Sequence, residues 1–389
     1  MKNISIIGSG TMGIGIAQIA SDYNHKVVIY DKSKKSLKIA KEKLKKILNR
    51  LIEKQKIDKK ESQRILTNIK FSDSIKEIEK AEIVIEAIVE DLAIKKDVFQ
   101  EIENLVSEKC IIATNTSSIS ITSIASACKT PERVIGMHFF NPAPLMPLVE
   151  IIPAIQTSND TIKKTMTLSE SWKKTKVLCK DTPGFIVNRL ARSFYSESIR
   201  IYEENIANKE TIDWAMKDLG GFKMGPFELM DYIGNDVNYK VTETVFNEFY
   251  FDQRYKPSIT QKRLVEAGYF GRKSGRGYYN YLVKENLKIN QNRELGKKIV
   301  WRVLCMLINE AIDALYLKIA SKEDIDKAMK NGVNYPKGLL EWGDEIGHRV
   351  ILEEIIKLRE TYSEDRYRPS PLLIYLSKNE KKIFENGEK

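Results

Sequence analysis

Short apolar runs alternate with periodic amphipathic segments through the first half of the chain. The runs are too short for buried helices and predict strands at residues 2–7, 26–31, 83–88, 110–114 and 134–137. The segments between them predict helices at about 14–20, 34–64 with a break near 56–59, 92–106 and 119–127. Strands that alternate with helices predict a doubly wound α/β fold, a Rossmann-like parallel sheet covered on both faces.

The strand pattern fades after residue 153. A helix at about 159–173 and a short strand at 176–179 precede Pro183, and the rest of the chain has mainly helical periodicity. We predict that Thr182 caps a helix with Pro183 at its first position, which puts Asn188 on the second turn. The domain boundary is therefore expected near residue 180.

The helical half contains an internal repeat. Residues 206–217 match residues 319–330 at an offset of 113, and the same offset aligns four later pairs: Gly225 with Gly338, Glu228 with Glu341, Asp231 with Asp344, and Gly234 with Gly347. We therefore predict a Rossmann-like domain at 1–180, a first helical module at 181–284 and a degenerate second copy at 296–385. Asn188 aligns with Trp301, so the second copy lacks a polar residue that the first has, and one active site per chain is expected.

A glycine-rich turn joins the first predicted strand to the first helix. Its sequence is Gly8-Ser-Gly-Thr-Met-Gly13, and the second strand ends at Asp31, the arrangement of dinucleotide-binding folds. The turn residues Gly8, Gly10, Thr11, Met12 and Gly13 are expected to hold the pyrophosphate at the helix N-terminus. Asp31 is expected to accept from the adenosine ribose, which favours NAD over NADP, although Lys32, Lys34 and Lys35 leave the strictness of that preference open.

His138 is the candidate catalytic base. A neutral imidazole takes a proton near neutral pH, and a carboxylate such as Glu150 favours the resulting imidazolium. Together with a dinucleotide turn, this pair indicates hydride transfer.

Charge and cysteine content narrow the class of protein. The 389 residues carry a formal net charge of +11, and residues 32–64 hold 14 Lys or Arg against four acids, which points to one anionic partner at one place or to a solvated helix face. The four cysteines are isolated and have no metal-ligand spacing, so we expect reduced thiols and no metal. The first strand leaves no room for a signal peptide and no apolar run approaches ~18 residues, so a cytoplasmic protein is expected.

Seven motifs occur in a fixed order along the chain. They are the glycine turn, Asn115-Thr-Ser-Ser118, His138-Phe-Phe-Asn-Pro142, Val149-Glu-Ile-Ile152, Asp181-Thr-Pro-Gly-Phe-Ile-Val-Asn-Arg189, Gly225-Pro-Phe-Glu-Leu-Met-Asp231 and Phe270-Gly-Arg-Lys-Ser-Gly-Arg-Gly277. With these motifs the chain resembles the L-3-hydroxyacyl-CoA dehydrogenase family, of the 3-hydroxybutyryl-CoA dehydrogenase type, over residues 1–282. Residues beyond 282 resemble a second copy of that family's C-terminal domain.

The resemblance implies NAD as cofactor and a role for each matching residue. It implies that His138 is the base, that Glu150 orients it, and that Ser117 and Asn188 hold the reacting oxygens of the substrate. The further cofactor contacts that it implies are Glu90, Lys95, Asn115, Asn141 and Lys273. It also implies a contact between Lys54 and coenzyme A, whereas Ile47 stands where the family has a serine contact. For Glu90 a second interpretation, a helix cap, stays open.

The resemblance implies NAD-dependent interconversion of (S)-3-hydroxyacyl-CoA and 3-oxoacyl-CoA in fatty-acid or butanoate metabolism. Two alternatives are a dehydrogenase of a free hydroxyacid on the same scaffold and a non-catalytic dinucleotide-binding protein. Nucleic-acid binding is suggested only by the net charge, and no feature of the sequence suggests membrane binding. We therefore expect neither a nucleic acid nor a membrane as partner. Single-copy relatives pair two subunits through the C-terminal domain, so we expect either a homodimer or a monomer whose second copy supplies that interface internally.

Overall fold

The protein divides into two compact units. A computed structural model describes residues 2–283 and 289–384, and the units are Met1–Thr182 and Pro183–Lys389. Residues 284 and 385, at which the predicted helical modules end, lie outside the described residues.

The N-terminal unit is built on one eight-stranded sheet with the order β3-β2-β1-β4-β5-β6-β7-β8. Strands β1 to β6 are parallel to one another, β7 is antiparallel to β6, and β8 is parallel to β7. The strands are β1 Asn3–Ile7, β2 Lys26–Tyr30, β3 Ile69–Ser72, β4 Ile83–Glu86, β5 Ile111–Thr114, β6 Val134–Phe139, β7 Leu148–Pro153 and β8 Thr175–Leu178. The predicted α/β fold class is confirmed.

Helices flank this sheet. They are α1 Thr11–Asp22, α2 Lys34–Glu53, α3 Lys59–Asn68, α4 Leu92–Leu105, α5 Ile121–Ala125 and α6 Asn159–Ser171. The predicted break separates α2 from α3, and Asp58 caps α3 by accepting from the Glu61 backbone N–H. Asp91 caps α4 in the same way, so the interpretation of Glu90 as a helix cap is wrong.

Two strands were not among those predicted. In β3 and β7 charged or polar residues interrupt the apolar run, Lys70 in the first and Glu150 in the second. The omission of β7 is important because its antiparallel register places Glu150 directly opposite His138 on β6. Side chains of directly opposed residues lie on the same face of a sheet.

The chain enters the C-terminal unit through a turn, and the predicted cap at Thr182 is wrong. Gly184 and Phe185 have φ angles of 75° and 50°. These values lie in the left-handed region and cannot continue a right-handed helix. The helix instead begins at Val187, which places Asn188 on the first turn and not the second.

The C-terminal unit is helical. Its helices are α7 Val187–Leu190, α8 Arg192–Glu203, α9 Lys209–Trp214, α10 Pro226–Ile233, α11 Asn235–Glu248, α12 Ile259–Glu266, α13 Arg293–Tyr316, α14 Lys322–Gly332, α15 Leu339–Ile346, α16 His348–Tyr362 and α17 Pro371–Lys378. We name the described residues 183–283 copy 1 and 289–384 copy 2. Within the described ranges, no helix is both long and apolar enough to cross a membrane.

The repeat has a structural basis in two aspartates at equivalent positions. Asp213 of copy 1 accepts from two backbone N–H groups at the start of α10, and Asp326 of copy 2 does the same at α15, at 2.8–2.9 Å. A Cβ on Gly225 or Gly338 would lie 2.3 Å from the nearest atom of these side chains. Each copy therefore keeps a glycine where its aspartate approaches the backbone.

The two copies contact each other through reciprocal ion pairs. Arg189 of copy 1 donates from Nε to Oε1 of Glu310 in copy 2 at 2.6 Å, and Arg302 of copy 2 donates to Glu197 of copy 1 at the same distance. The offset of 113 relates the two arginines to each other and the two glutamates to each other. Contacts of residue i with j and of j with i are typical of a two-fold symmetric interface.

Candidate functional site

The glycine turn of the N-terminal unit has the shape that a dinucleotide site requires. Gly8 has a φ of 102°, and a Cβ there would lie 2.6 Å from the Ala87 carbonyl oxygen, while a Cβ on Gly13 would lie 2.0 Å from that of Gly8. Gly10 differs, because a Cβ there would meet nothing within 4 Å. Gly10 is also the N-cap residue of α1, and it has no side chain that could cap the helix. Open space before uncapped N–H groups fits a phosphate at the N-terminus of α1.

Asp31 follows β2 and lies beside the same turn. Its carboxylate accepts from the Ser9 hydroxyl at 2.6 Å and from the backbone N–H groups of Ser9 and Ser33 at 3.0 and 2.9 Å. Burial acts to raise the pKa of Asp31, but these hydrogen bonds outweigh it and hold the pKa below its ordinary value. The side chain is therefore an anion fixed beside the turn, as the recognition of a ribose hydroxyl requires.

Lys43 is a residue at this turn that the sequence interpretation did not single out. From α2 its Nζ donates to the Thr11 hydroxyl at 2.8 Å, so an ammonium lies at the first position of α1. Met12, the next residue, is partly buried against the apolar core of the unit. Lys43 was one of 14 basic residues in one segment, and only the fold distinguishes it from the others.

His138 and Glu150 form a buried pair on adjacent strands. His138 Nδ1 and Glu150 Oε2 are 2.7 Å apart; the histidine is 6% exposed and the glutamate 0%. The Phe140 ring lies 4.5 Å from the imidazole ring, centroid to centroid. A carboxylate hydrogen-bonded to Nδ1 fixes the tautomer of the ring and stabilises its protonated form, so proton exchange falls to Nε2.

Glu90 accepts hydrogen bonds from three residues of the loop that follows β5. Its Oε1 accepts from the Thr116 hydroxyl at 2.5 Å, the Ser117 backbone N–H at 3.0 Å and the Ser118 hydroxyl at 3.2 Å. Burial would raise the pKa of Glu90, but the Lys95 ammonium and these donors together hold it below its ordinary value. The predicted cofactor residue Glu90 and the predicted substrate residue Ser117 thus belong to one hydrogen-bonded cluster.

Glu86 is the carboxylate that sequence reasoning missed. It is 0% exposed at the end of β4. It accepts from Lys95 Nζ at 2.6 Å and from the Thr114 hydroxyl at 2.7 Å. Lys95 also lies 3.4 Å from Glu90. Glu86 therefore fixes the position of the lysine that pairs with Glu90. An acid within the apolar run Ile83-Val-Ile-Glu-Ala was the available signal, because a buried charge requires a partner.

Asn115 and Asn141 lie at the ends of β5 and β6. The Asn115 side chain accepts from the backbone N–H of Phe139 at 2.9 Å and so ties the two strand ends together. Asn141 is exposed on the loop after β6. With the glycine turn after β1, these residues lie at the carboxyl ends of parallel strands, where open α/β sheets bind ligands.

Three predicted residues remain, one in the N-terminal unit and two in the C-terminal unit. Lys54 is exposed and follows the last turn of α2. In the C-terminal unit, Lys273 pairs with Asp236 at 2.6 Å, and Asn188 accepts through its backbone oxygen from Arg192 Nε at 2.8 Å. No group of three or more His, Cys, Asp or Glu in the described part of the chain is arranged to hold a metal ion.

Comparison with known proteins assigns the chain to a family. Residues 3–182 match the family model for the 3-hydroxyacyl-CoA dehydrogenase NAD binding domain. Residues 184–281 and 299–388 match that for the 3-hydroxyacyl-CoA dehydrogenase C-terminal domain.

Relatives of two lengths resemble the chain. A 3-hydroxyadipyl-CoA dehydrogenase of Escherichia coli (strain K12) is 35% identical over 100% of this chain and 98% of its own length. The human mitochondrial hydroxyacyl-coenzyme A dehydrogenase is 40% identical over 72% of this chain and 91% of its own.

Solved structures divide in the same way. A 3-hydroxybutyryl-CoA dehydrogenase from Escherichia coli K12 superposes with a TM-score of 0.92 at 35% identity, covering 98% of this chain and 99% of its own. The (S)-3-hydroxybutyryl-CoA dehydrogenase from Ralstonia eutropha gives 0.70 at 39% identity, covering 72% of this chain and 99% of its own. The chain belongs to the 3-hydroxyacyl-CoA dehydrogenase family.

Proposed function

We propose that the protein oxidises (S)-3-hydroxyacyl-CoA thioesters to 3-oxoacyl-CoA with NAD, and catalyses the reverse reaction, through His138. The observation that carries the proposal is the buried 2.7 Å contact between His138 and Glu150 in a sheet that also carries a dinucleotide turn. Bound NAD supplies the acceptor for the hydride that leaves C3 of the substrate. Side chains of the protein transfer the proton and hold the reacting oxygens of the substrate.

His138 takes the proton of the 3-hydroxyl group. As the O–H bond breaks, Nε2 gains the proton, and the electron pair of that bond forms the C3 carbonyl. Glu150 then stabilises the imidazolium across 2.7 Å in a site without solvent screening. In the reverse direction the same imidazolium returns the proton to the reduced carbonyl.

Ser117 and Asn188 hold the reacting oxygens. In the reductive direction negative charge develops on the C3 oxygen, and fixed donors on that oxygen lower the barrier. The Ser117 backbone is fixed by Glu90, which in turn is held by Lys95 and Glu86. We propose that this chain of contacts positions the serine, and that Asn115, Asn141 and Lys273 complete the cofactor contacts.

The basic helices α2 and α3 provide charge for coenzyme A. Lysine is a good point-charge partner for phosphate groups, and we propose that Lys54 contacts them. Lys43 belongs to α2, but its ammonium lies at the first position of α1, where it is positioned to favour a cofactor phosphate at the glycine turn.

Substitution of His138 by alanine tests the central assignment. Turnover of acetoacetyl-CoA with NADH should fall by roughly 10²–10⁴-fold because the general acid is removed. Thermal unfolding and NADH binding serve as controls for folding and cofactor binding. Turnover equal to that of the wild type would refute the assignment of His138 as the base.

Two other functions give different results in the same assay. A dehydrogenase of free hydroxyacids would reduce acetoacetate as well as acetoacetyl-CoA, whereas the cluster of basic residues on α2 and α3 supports a preference for the thioester. A non-catalytic dinucleotide-binding protein would oxidise no NADH with any acyl-CoA. We propose a four-carbon or six-carbon acyl chain, in line with the names of the 3-hydroxybutyryl-CoA and 3-hydroxyadipyl-CoA relatives.

We propose that copy 2 supplies within one chain an interface that a protein with a single copy would form between two subunits. The reciprocal pairs Arg189–Glu310 and Arg302–Glu197 support this arrangement, as do hydrogen bonds to the same glutamates from Tyr255 at 2.5 Å and Tyr367 at 2.7 Å. The full chain should then scatter light as a monomer of 44.7 kDa. A soluble, active monomer of residues 1–282 would leave copy 2 without this role.

A further inference from the structure

Among the residues that the structure describes, Arg192 is a buried cation without an anionic partner. It lies at the start of α8, is 4% exposed, and forms no ion pair with any carboxylate in residues 2–283 and 289–384. Its Nε donates to the Asn188 carbonyl at 2.8 Å, and its Nη1 donates to the Thr242 hydroxyl at 2.8 Å and the Asn238 carbonyl at 3.3 Å. All three acceptors are neutral, and across the described residues Nη2 donates no hydrogen bond. Burying a charge without a counter-charge is costly.

A tyrosine hydroxyl in the aromatic cluster that contacts Arg192 also has no hydrogen-bond partner among the described residues. The Tyr335 ring lies 5.7 Å from that of Phe194, which lies 5.6 Å from that of Tyr195. Tyr335, from copy 2, is 6% exposed, and no described residue hydrogen-bonds to its hydroxyl. Burial raises the pKa of Tyr335 well above its ordinary value, and the nearby Arg192 charge opposes that rise. The Tyr195 ring lies 5.0 Å from the Arg192 guanidinium carbon. A guanidinium and a neutral hydroxyl are both donors suited to a carboxylate.

The fold itself does not require this charge. In the repeat, the position of Arg192 corresponds to Cys305 and that of Tyr195 to Ile308. Both counterparts are buried, so the equivalent place in copy 2 packs with no polar donor of this kind. The polar set occurs on the side where Asn188 is present and is absent where its counterpart is Trp301. The polar residues therefore occur only in the half of the pseudo-symmetric unit that carries Asn188, the proposed substrate residue. This pairing indicates a role in substrate binding.

We propose that Arg192 and Tyr335 bind a second carboxylate at the far end of the acyl chain, so that the preferred substrate is the CoA thioester of a 3-hydroxy dicarboxylic acid. The proposal rests on the proposed dehydrogenase function and on the role of Asn188 beside C3. Arg192 comes four residues after Asn188, about 6 Å further along a helical path. Three bonds of an extended chain cover about 3.5 Å, and a hydrogen bond adds about 2.9 Å at each end. These lengths add to about 9 Å, so a six-carbon dicarboxylate is long enough to span the backbone rise between the two residues.

Two six-carbon substrates that differ at the terminal group test the proposal. Initial rates of NADH oxidation by the full-length protein are compared for 3-oxoadipyl-CoA, which ends in a carboxylate, and 3-oxohexanoyl-CoA, which ends in a methyl group. The wild type should have a kcat/KM at least about 10-fold higher for the dicarboxylic substrate. Arg192→Met should lower the ratio of the two values by roughly 10²-fold, because one partner of a buried charge pair is lost. Arg192→Lys should give an intermediate ratio, since lysine keeps the charge but not the planar fork.

A second variant and a matched control separate this role from a structural one. Tyr335→Phe keeps the ring, as its counterpart Phe222 does in the repeat, and should lower the ratio about 5-fold by removing one hydrogen bond. It also decides the question if Arg192→Met does not fold. Arg200→Met removes an arginine of the same helix, but one that pairs with Glu204 and Glu364, and should leave the ratio unchanged.

Three results would overturn the proposal. They are a wild-type ratio near one, a Tyr335→Phe ratio equal to that of the wild type, and an equal loss for both substrates in Arg192→Met. The last would assign the guanidinium to the shared CoA moiety or to the fold. These results leave the dehydrogenase function standing, whereas failure to reduce any 3-oxoacyl-CoA would refute that function itself.

Discussion

Substitution of Glu150 by glutamine tests whether the buried charge, and not only the hydrogen bond, supports His138. Glutamine keeps the size of the side chain and an oxygen acceptor for Nδ1. A hydrogen bond to a charged group contributes about 1.5–3 kcal/mol and a neutral one about 0.5–1.5 kcal/mol. The imidazolium should therefore lose about 1–2 kcal/mol of stabilisation, which corresponds to about 5- to 30-fold in kcat. Because Glu150 is completely buried and solvent does not screen it, we expect the upper end of that range.

A double-mutant cycle with His138→Gln sharpens the test. The single histidine variant should lose roughly 10²–10⁴-fold in kcat. In that background Glu150→Gln should have less than about a twofold further effect, because no imidazolium remains to be stabilised. The assay is the rate of NADH oxidation with saturating acetoacetyl-CoA, with thermal unfolding and NADH fluorescence as controls. A Glu150→Gln variant within twofold of the wild type, or one whose full effect persists without His138, would refute the reasoning.

Four further substitutions test the cofactor site, the buried charges and the interface between the copies. Asp31→Ser should weaken NADH binding about 10-fold or more by removing a charged acceptor and should raise the preference for NADPH; unchanged KM values for both cofactors would contradict this role. Burial raises the pKa of Asp22 to about 6, so the folded state binds this proton more tightly than the unfolded state, and stability is lost as pH rises from about 4 through 6. Asp22→Asn should thus raise the free energy of unfolding by about 1–3 kcal/mol at pH 7.5 but not at pH 4, whereas a pH-independent change would count against this cause. Glu310→Gln removes the carboxylate that pairs with both Arg189 and Arg254, so that these two buried guanidinium groups share Asp313. It should therefore cost about 3–5 kcal/mol in urea unfolding, and Glu197→Gln should match it if the two copies are equivalent.

The predictable parts of the protein are those whose cause is local. The glycine turn is one example, because the positive φ of Gly8 and the close approach of Gly13 leave little choice of residue. The caps of α2 and α3 and the break between them likewise depend on neighbours within a few positions. The repeat was visible because the same aspartate and glycine contact recurs in both copies.

The errors occur where a local pattern was ambiguous. Thr182 and Pro183 have the composition of a helix start, yet the left-handed conformations of Gly184 and Phe185 delay the helix to Val187. Strand β7 was missed because Glu150, a charged residue, interrupts its apolar run. That residue is tolerated in a buried strand since the neighbouring strand supplies His138 as its partner.

The sequence by itself determined the class of fold, the dinucleotide turn, the duplication and the identity of the histidine and its acid, because each depends on residue type at a fixed spacing. The tertiary structure decided which charges meet. Glu86 contacts Lys95, Lys43 contacts Thr11, and the acceptors that Arg192 finds among the described residues are neutral. The physical reason is that the energy of a charge depends on its burial and on partners far away in the chain. Only the folded arrangement of strands and helices fixes both of these.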